Sequence, residues 1–286
     1  MGKLKTPLVL VAVVAILVVV ECRYHLFRAI VFQFSKEKYI GFVADTDYEK
    51  MLEKEPPCIK DKTYEGEELK KTKLSAITAE YDMHNELRDK YNLASIATAQ
   101  NDFDKVLQML SWLTENTWYN GNQMFLLKDD TRDILEYAFD KPFYKAINCR
   151  WKAVALADCL VAVGIKAYPV CMQAADYGAC HFTCHAYISE LEKWCVFDPS
   201  FGCWFSDGEN RPVDIFEMRE MFLQGEEPTI HGYNFNGTQE AFDAYMNSFL
   251  KLCLSNLSTW KDNSMTGRDS RSFSGRKQFD SEIPTE

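Results

Sequence analysis

The sequence has no run rich in lysine and arginine, and this absence separates it from proteins that bind nucleic acids. Its 286 residues include 32 basic and 42 acidic side chains, which give a formal net charge of −10. Proteins that hold a phosphate backbone need basic patches, so we expect no nucleic-acid partner. We attribute the acidity to solubility. An apolar content of 47% in a chain of this length is enough for one domain with a full core.

The N-terminus lacks the marks of a cleaved leader and of a full-length membrane span. Lys3 and Lys5 precede an apolar run from Pro7 to Val20, which is shorter than the ~20 residues of a comfortable span. No small residues of the A-x-A type follow the run. We expect residues 1–28 to be a short cytoplasmic segment with an uncleaved signal anchor, a transmembrane helix that places the rest of the chain outside the cytoplasm. The alternative is a buried N-terminal helix of the core.

The cysteines lack the even, loop-centred spacing of a small disulfide scaffold. Disulfides would suit an extracellular domain, but several of these cysteines lie in apolar stretches, where a thiol packs as a small hydrophobic group. We expect most of them to be reduced core residues. The ten are Cys22, Cys58, Cys149, Cys159, Cys171, Cys180, Cys184, Cys195, Cys203 and Cys253.

The pattern of apolar residues also lacks the βαβ alternation of a doubly wound sheet. Helical spacing recurs at 81–88, 104–116 and 131–139, and strand-like spacing follows at 165–172. The runs 180–189 and 194–198 predict an antiparallel hairpin. Helices followed by strands predict an α+β fold.

The remaining segments outline the domain. Residues 29–75 are expected to be a linker and lead-in, and 76–260 the folded domain, with later helices at 216–223 and 239–254. We interpret 231–237 as a surface loop. Residues 261–286, rich in Ser, Asp, Arg and Gly, predict a disordered tail.

Cys149 opens the most informative helical segment of the chain. Asn148 is a suitable N-cap, about four apolar turns follow, and Gly164 provides a C-terminal stop. In the first turn of a helix, unpaired N–H groups and the helix dipole favour a negative charge. This position predicts a lowered pKa for the Cys149 thiol and a reactive thiolate. We interpret Cys149 as a nucleophile; the alternative is an inert buried thiol, as expected of Cys159.

A histidine and an aspartate downstream provide the partners that a thiol nucleophile needs. These are a base and a group that holds the tautomer of the base. The predicted hairpin places His181 near the start of its first strand and Asp198 at the end of its second. Both side chains would then open toward the same rim of the sheet. Pro199 favours an extended backbone at Asp198, as a strand end requires.

These residues resemble the core pattern of the transglutaminase-like superfamily. The pattern joins a cysteine that opens an apolar helix, a Gly-Ile pair, a histidine six residues before an aromatic, and Trp-x-x-x-Asp-Pro. Here the matching residues are Cys149, Gly164-Ile165, His181 with Tyr187, and Trp194 to Asp198-Pro199. The resemblance spans roughly residues 100–205, and the segments 147–150 and 188–199 are also similar to a bacterial branch whose members carry N-terminal anchors.

The resemblance implies a papain-like α+β core in which the nucleophile helix, together with N-terminal helices, packs on an antiparallel sheet. It also implies a catalytic triad of Cys149, His181 and Asp198. His181 and His185 share one face of a strand, so their spacing cannot choose the base. The resemblance favours His181, which also lies thirteen residues before the tryptophan. His185 is then expected to line the substrate groove, and Trp151 to be core or groove wall.

On this interpretation Cys149 attacks an amide or ester carbonyl of a peptide or protein. His181 moves the proton, Asp198 orients the imidazole, and the Cys149 N–H binds the oxyanion. Hydrolysis and transfer to an amine both fit the triad. The alternative from another class is a transglutaminase-like domain that binds peptide or glycan at the cell surface without catalysis.

The same hairpin holds a dense group of metal-binding residue types, namely Cys180, His181, Cys184 and His185. On a strand, residues four apart are separated by ~13 Å and adjacent ones point to opposite faces. These side chains therefore cannot meet at one zinc ion. The spacing C-x-x-x-C-H is one residue longer than the haem attachment motif. We expect neither a metal nor a cofactor.

Overall fold

The computed structural model describes residues 81–121, 130–140, 146–174, 180–232, 250–254, 256–260 and 276–278. The predicted signal anchor at 1–28 and the linker at 29–75 lie outside these ranges, so both stay predictions. No helix within the described ranges combines the length and the apolar character needed to cross a membrane.

Helices dominate the first half of the described chain. They are α1 (Asp82–Lys90), α2 (Leu93–Ile96), α3 (Asp102–Asn116), α4 (Thr131–Asp140) and α5 (Cys149–Ala162), followed later by α6 (Ile215–Leu223) and α7 (Leu250–Cys253). The helices predicted at 81–88, 104–116, 131–139 and 216–223 are confirmed, with ends within two residues. Of the helix predicted at 239–254, the described part begins at residue 250 and is helical up to Cys253.

Most of the described strands lie in the second half and form one antiparallel sheet. The strands are β1 (Trp118–Tyr119), β2 (Ala146–Ile147), β3 (Ala167–Gln173), β4 (Cys180–Ile188), β5 (Lys193–Asp198), β6 (Cys203–Ser206), β7 (Thr229–His231), β8 (Asn256–Trp260) and β9 (Arg276–Gln278). The sheet order is β7-β6-β5-β4-β3-β8-β9, while β1 and β2 form a separate parallel pair. The predicted hairpin is confirmed as β4 and β5. The expectation of an α+β fold is confirmed.

Two segments differ from their predictions. His231, expected to begin a surface loop, ends β7: its ring stacks on Trp204 with centroids 4.0 Å apart, and its Nε2 lies 2.7 Å from Ser206 Oγ. This loop prediction was wrong at its first residue because the pairing with β6 is not visible in so short a segment; residues 233–237 lie outside the described ranges. Strand β9 falls within the predicted tail at 261–286.

The sheet separates two apolar cores. Side chains of α1, α3, α4 and α5 pack on one face together with Phe182, Cys184 and Ala186 of β4. Side chains of α6, α7 and β8 pack on the other face with Tyr168 and Trp194. Strand β4 therefore presents alternate residues to opposite cores, as a pleated strand must.

Helix α5 lies in the middle of the first core, and each of its residues from Trp151 to Ala162 is buried. Its first turn is capped by Asn148, whose Oδ1 accepts the Trp151 N–H at 3.0 Å. Its end is a Schellman motif: Ile165 N–H donates to Leu160 O at 3.0 Å, and Gly164 adopts φ +86°. Both predicted ends of the helix are confirmed. The capped start places Cys149 where the two cores meet, since it packs against both.

Candidate active site

Cys149 is the first residue of α5, and its side chain reaches the start of β4. Its sulfur accepts a hydrogen bond from the Phe182 N–H. Among the described residues, no acceptor takes the Cys149 N–H itself. A partly exposed thiol and an available backbone donor therefore stand together at one helix end.

His181 precedes Phe182 on β4, and its Nε2 lies 2.8 Å from Asp198 Oδ2. Both side chains are fully buried. The ladder between β4 and β5 ends at the pair Cys184 and Phe197, so His181 and Asp198 project at the same end of the hairpin, as the sequence predicts. Because Nε2 donates to the carboxylate, Nδ1 is the nitrogen that can accept a proton from a thiol.

The turn after β5 fixes Asp198. Ser200 N–H donates to Asp198 Oδ1 at 2.8 Å, and Gly202 N–H donates to the Asp198 carbonyl at 2.8 Å. Thr114 at the end of α3 contacts the same turn: its hydroxyl donates to Leu110 O at 2.7 Å, and its Oγ1 also lies 3.4 Å from Pro199 O. The carboxylate thus has one oxygen for the backbone and one for His181, an arrangement that orients the imidazole.

The electrostatics of Cys149 differ from the sequence-based expectation. Burial raises the pKa of its thiol above the usual range, and the neighbouring Cys180 and Asp198 act in the same direction. The hydrogen bond from Phe182 N–H lowers this pKa but does not compensate. The predicted lowering was wrong because the helix start lies against a packed sheet, where desolvation of the thiolate outweighs the dipole. The thiol is therefore neutral until a base takes its proton.

The other described cysteines fit the structural role expected of them. The eight described cysteines are free thiols, and all except Cys149 and Cys180 are buried. Burial also raises the pKa of Cys159 well above its usual value. Cys22 and Cys58 lie outside the described residues.

His185 lies on the same strand face as His181 but has different partners. Ile215 N–H donates to its Nε2 at 3.0 Å, and its Nδ1 lies 2.9 Å from Tyr168 Oη. Burial lowers the pKa of His185 to about 3. The ring is neutral, and both nitrogens are bonded within the protein. The structure therefore places His185 in the core and not at the groove expected from the sequence.

Trp151 is also a core residue, with 3% of its surface exposed and its side chain packed among the helices. Of the two positions left open for it, core or groove wall, the structure shows the core.

Two residues near the triad carry no signal that singled them out in the sequence. Asn120 follows β1, and its N–H donates to Ile147 O at 3.0 Å, so the parallel pair of β1 and β2 places it beside Asn148. Lys152 lies one turn beyond Cys149 and is buried, with Nζ donating to Thr117 O at 2.9 Å.

No metal site stands near these residues. Within the described ranges, no group of three or more His, Cys, Asp and Glu side chains is placed to hold a metal ion. In the hairpin, Cys184 packs toward α5 while His185 packs toward α6. The dense Cys/His group of the sequence is thus divided between the two faces of the sheet.

The similarity of this chain to known proteins is low. No family model and no curated protein matches the sequence. Similar solved structures include a protein from Cytophaga hutchinsonii described provisionally as a cysteine protease, with a TM-score of 0.34 and 18% identity over 52% of this chain and 47% of that chain. Another is described as a transglutaminase, with a TM-score of 0.26 and 16% identity over 58% of this chain and 44% of that chain.

This chain spans less than half the length of either structure, and neither likeness informs the reaction. The order of elements in the described chain is the one that the sequence pattern predicts. An apolar helix that begins at Cys149 is followed by antiparallel strands that carry His181 and Asp198. What the site can do chemically is therefore inferred from these residues alone.

Proposed function

We propose that this protein is a cysteine-dependent enzyme that transfers an acyl group from an amide or ester carbonyl, with Cys149, His181 and Asp198 as its triad. The observation that carries the proposal is the buried hydrogen bond of 2.8 Å between His181 and Asp198. It lies directly beside a partly exposed thiol whose sulfur contacts the next residue of the same strand. A thiol, an imidazole and an orienting carboxylate are the set that nucleophilic acyl transfer requires.

The proposed reaction begins from a neutral thiol and a neutral imidazole beside the Asp198 carboxylate. As the Cys149 sulfur attacks the carbonyl carbon, His181 Nδ1 takes the thiol proton, and Asp198 stabilises the imidazolium that forms. The imidazolium then gives this proton to the leaving amine or alcohol, which departs and leaves a thioester on Cys149. The raised pKa of the Cys149 thiol supports a mechanism in which proton transfer accompanies attack.

The oxyanion of the tetrahedral intermediate needs donors that are already in place. The Cys149 N–H is one, because no described group accepts it. Asn120 is the proposed source of the second donor, since the pairing of β1 with β2 holds it beside the residue that precedes Cys149. A carbonyl at the thiol would then lie between the helix start and this short strand.

Peptide or protein carbonyls are the proposed substrates, and water or an amine the proposed acceptor of the acyl group. Water gives a peptidase or amidase, whereas a lysine amine gives a transamidase. Product analysis with peptides and an added primary amine separates the two reactions.

The test of the triad is alkylation of the thiols with iodoacetamide, followed peptide by peptide by mass spectrometry. We expect Cys149 to react at least about 10²-fold faster than Cys159 or Cys171, because it alone has a general base. His181→Gln should remove this advantage. His84→Gln is the matched control, because it removes another buried histidine that is paired with a carboxylate.

Equal and slow labelling of the three cysteines in the wild-type protein would contradict the proposal. It would favour the alternative, a domain of this fold that binds peptide or glycan without catalysis.

A further inference from the structure

Lys152 is a buried cation that the proposed reaction does not use. Only 1% of its surface is exposed, and it lies one helical turn after Cys149. Its Nζ donates to Thr117 O at 2.9 Å. Its hydrogen-bond partner within the described chain is thus an uncharged carbonyl. A buried ammonium is costly unless an opposite charge lies near, so the position of its nearest anion matters.

That anion is Asp198, which attracts the Lys152 ammonium. The end of α3 shows independently that the two groups share one place in the fold. Thr117 accepts the Lys152 hydrogen bond, and Thr114, one turn earlier, contacts the Pro199 carbonyl directly after Asp198. The last turn of α3 thus holds the nucleophile helix on one side and the carboxylate turn on the other.

Burial lowers the pKa of Lys152 to about 7, and Asp198 opposes this lowering. Both protonation states of the lysine are therefore accessible near neutral pH. Asp198 is the anion of the site, and it has two basic neighbours, His181 and Lys152. A single proton on either base is enough to neutralise the carboxylate.

We propose that Lys152 is a positioning residue for the triad: its ammonium is the resting counter-charge of Asp198, and this leaves His181 neutral and able to accept the thiol proton. The inference rests on the proposed function. With the proton on Lys152, the resting site has no net charge. The tetrahedral intermediate also has none, because the oxyanion is balanced by the imidazolium and Asp198 by Lys152.

The charged and titratable groups around this pair are few in the described structure. Asp198 on β5 acts on Lys152. His181 on β4 is hydrogen-bonded to the same carboxylate, and the thiols of Cys203 on β6 and Cys149 on α5 lie close enough to feel its charge. Both thiols have a raised pKa and stay neutral at neutral pH. Lys152 and His181 are therefore the groups whose protonation decides the charge of the site.

The test is the pH dependence of Cys149 alkylation by iodoacetamide between about pH 4.5 and 8.5. Loss of the ammonium leaves Asp198 without its counter-charge, so the carboxylate attracts a positive charge beside it more strongly and the alkylation rate should fall earlier on acidification. In Lys152→Met the acid limb should move up by about one pH unit. In Lys152→Arg, which retains a cation, it should stay where it is in the wild type.

Lys152→Gln separates charge from packing, because its amide can still donate toward Thr117 O. It should shift the acid limb as Lys152→Met does. An unshifted limb in either neutral variant, with the dependence on His181 intact, overturns the role of Lys152. Labelling that does not depend on His181 in the wild type would instead contradict the proposed function.

The wild-type profile provides a second measurement if the neutral variants do not fold. Above about pH 7, Lys152 loses its proton and Asp198 makes His181 a stronger base, so the rate should rise through a second inflection. Lys152→Arg keeps its charge and should lack this inflection. Identical profiles for the two proteins would overturn the inference.

Discussion

The two halves of helix α5 meet the same three kinds of side chain, with different outcomes. At its start, Cys149 stands beside the pair of His181 and Asp198. Further along the helix, Cys159 follows Asp158, and Asp158 Oδ1 lies 3.4 Å from His84 Nε2. Each half thus combines a thiol with a buried histidine and aspartate.

The second cluster is closed to a substrate. His84 Nδ1 accepts the Tyr81 N–H at 2.8 Å, so its Nε2 carries the proton that Asp158 accepts. Thr131 Oγ1 donates to the other oxygen of Asp158 at 2.5 Å. Cys159 is fully buried within the helix. This network uses its hydrogen bonds to hold α1 and α4 against α5, and no ring nitrogen is left to serve a thiol.

The comparison teaches that residue types alone do not define such a site. What distinguishes the first half is the end of the helix: an N–H that no described group accepts, a partly exposed cysteine, and a histidine with one nitrogen committed to a carboxylate. The same kinds of group about two and a half turns later along α5 serve only packing and stability.

The largest expected difference lies between the two thiols. Cys149→Ala should lower the turnover of an activated ester such as p-nitrophenyl acetate by about 10⁴-fold or more, because the nucleophile is lost. Cys159→Ala should retain near wild-type turnover and lose about 1 kcal/mol of unfolding free energy from the small cavity. Steady-state rates and thermal unfolding measure the two effects. Comparable turnover by both variants would erase the distinction between the halves of α5.

Substitution of the two aspartates should have smaller effects, on turnover for Asp198 and on stability for Asp158. Asp198→Asn should reduce turnover by about 10²- to 10⁴-fold, since an amide no longer holds the His181 tautomer. Asp158→Asn should instead cost about 1–3 kcal/mol of unfolding free energy, because buried donors of His84 and Thr131 lose a carboxylate acceptor. Denaturant titration and ester hydrolysis on the same preparations check this. Full activity in Asp198→Asn would remove this residue from the triad.

The smallest effect concerns the helix caps. Asn148→Ala should cost about 1 kcal/mol of unfolding free energy, since the Trp151 N–H loses its acceptor. Asn101, which caps α3 through the Asp104 N–H, is the matched control, and its alanine variant should cost a similar amount. Asn148→Ser should restore stability and turnover together if the residue acts as a cap. Restored stability without restored turnover would indicate direct contact with the substrate.

The sequence predicts the parts of the site that depend on local rules. An N-cap, an apolar helix and a glycine stop define α5, and alternation with a terminal proline defines the hairpin that carries His181 and Asp198. Those rules act over a few residues, which is why the element bounds agree closely with the structure. Strands β7 to β9 were missed because their pairing partners are distant in sequence, and β6, which pairs with the neighbouring β5, was missed because it has only four residues.

The electrostatics were less predictable, for the same reason. The dipole of α5 is a local property, whereas the raised pKa of Cys149 comes from the sheet packed against it. The placement of His185 likewise depends on α6, whose Ile215 N–H lies thirty residues away in sequence. The environment of Lys152 was equally unpredictable, because its Nζ bonds to Thr117 O at the end of α3, which is distant in sequence.

The last turn of α3 contacts both Lys152 on the nucleophile helix and Pro199 after β5, and this has a consequence for protein engineering. A transplanted hairpin would bring His181 and Asp198 to a new scaffold but would leave behind the turn that steadies Pro199 and Lys152. A transplant of this chemistry therefore has to include at least the continuous stretch from α3 to β6, residues 102–206.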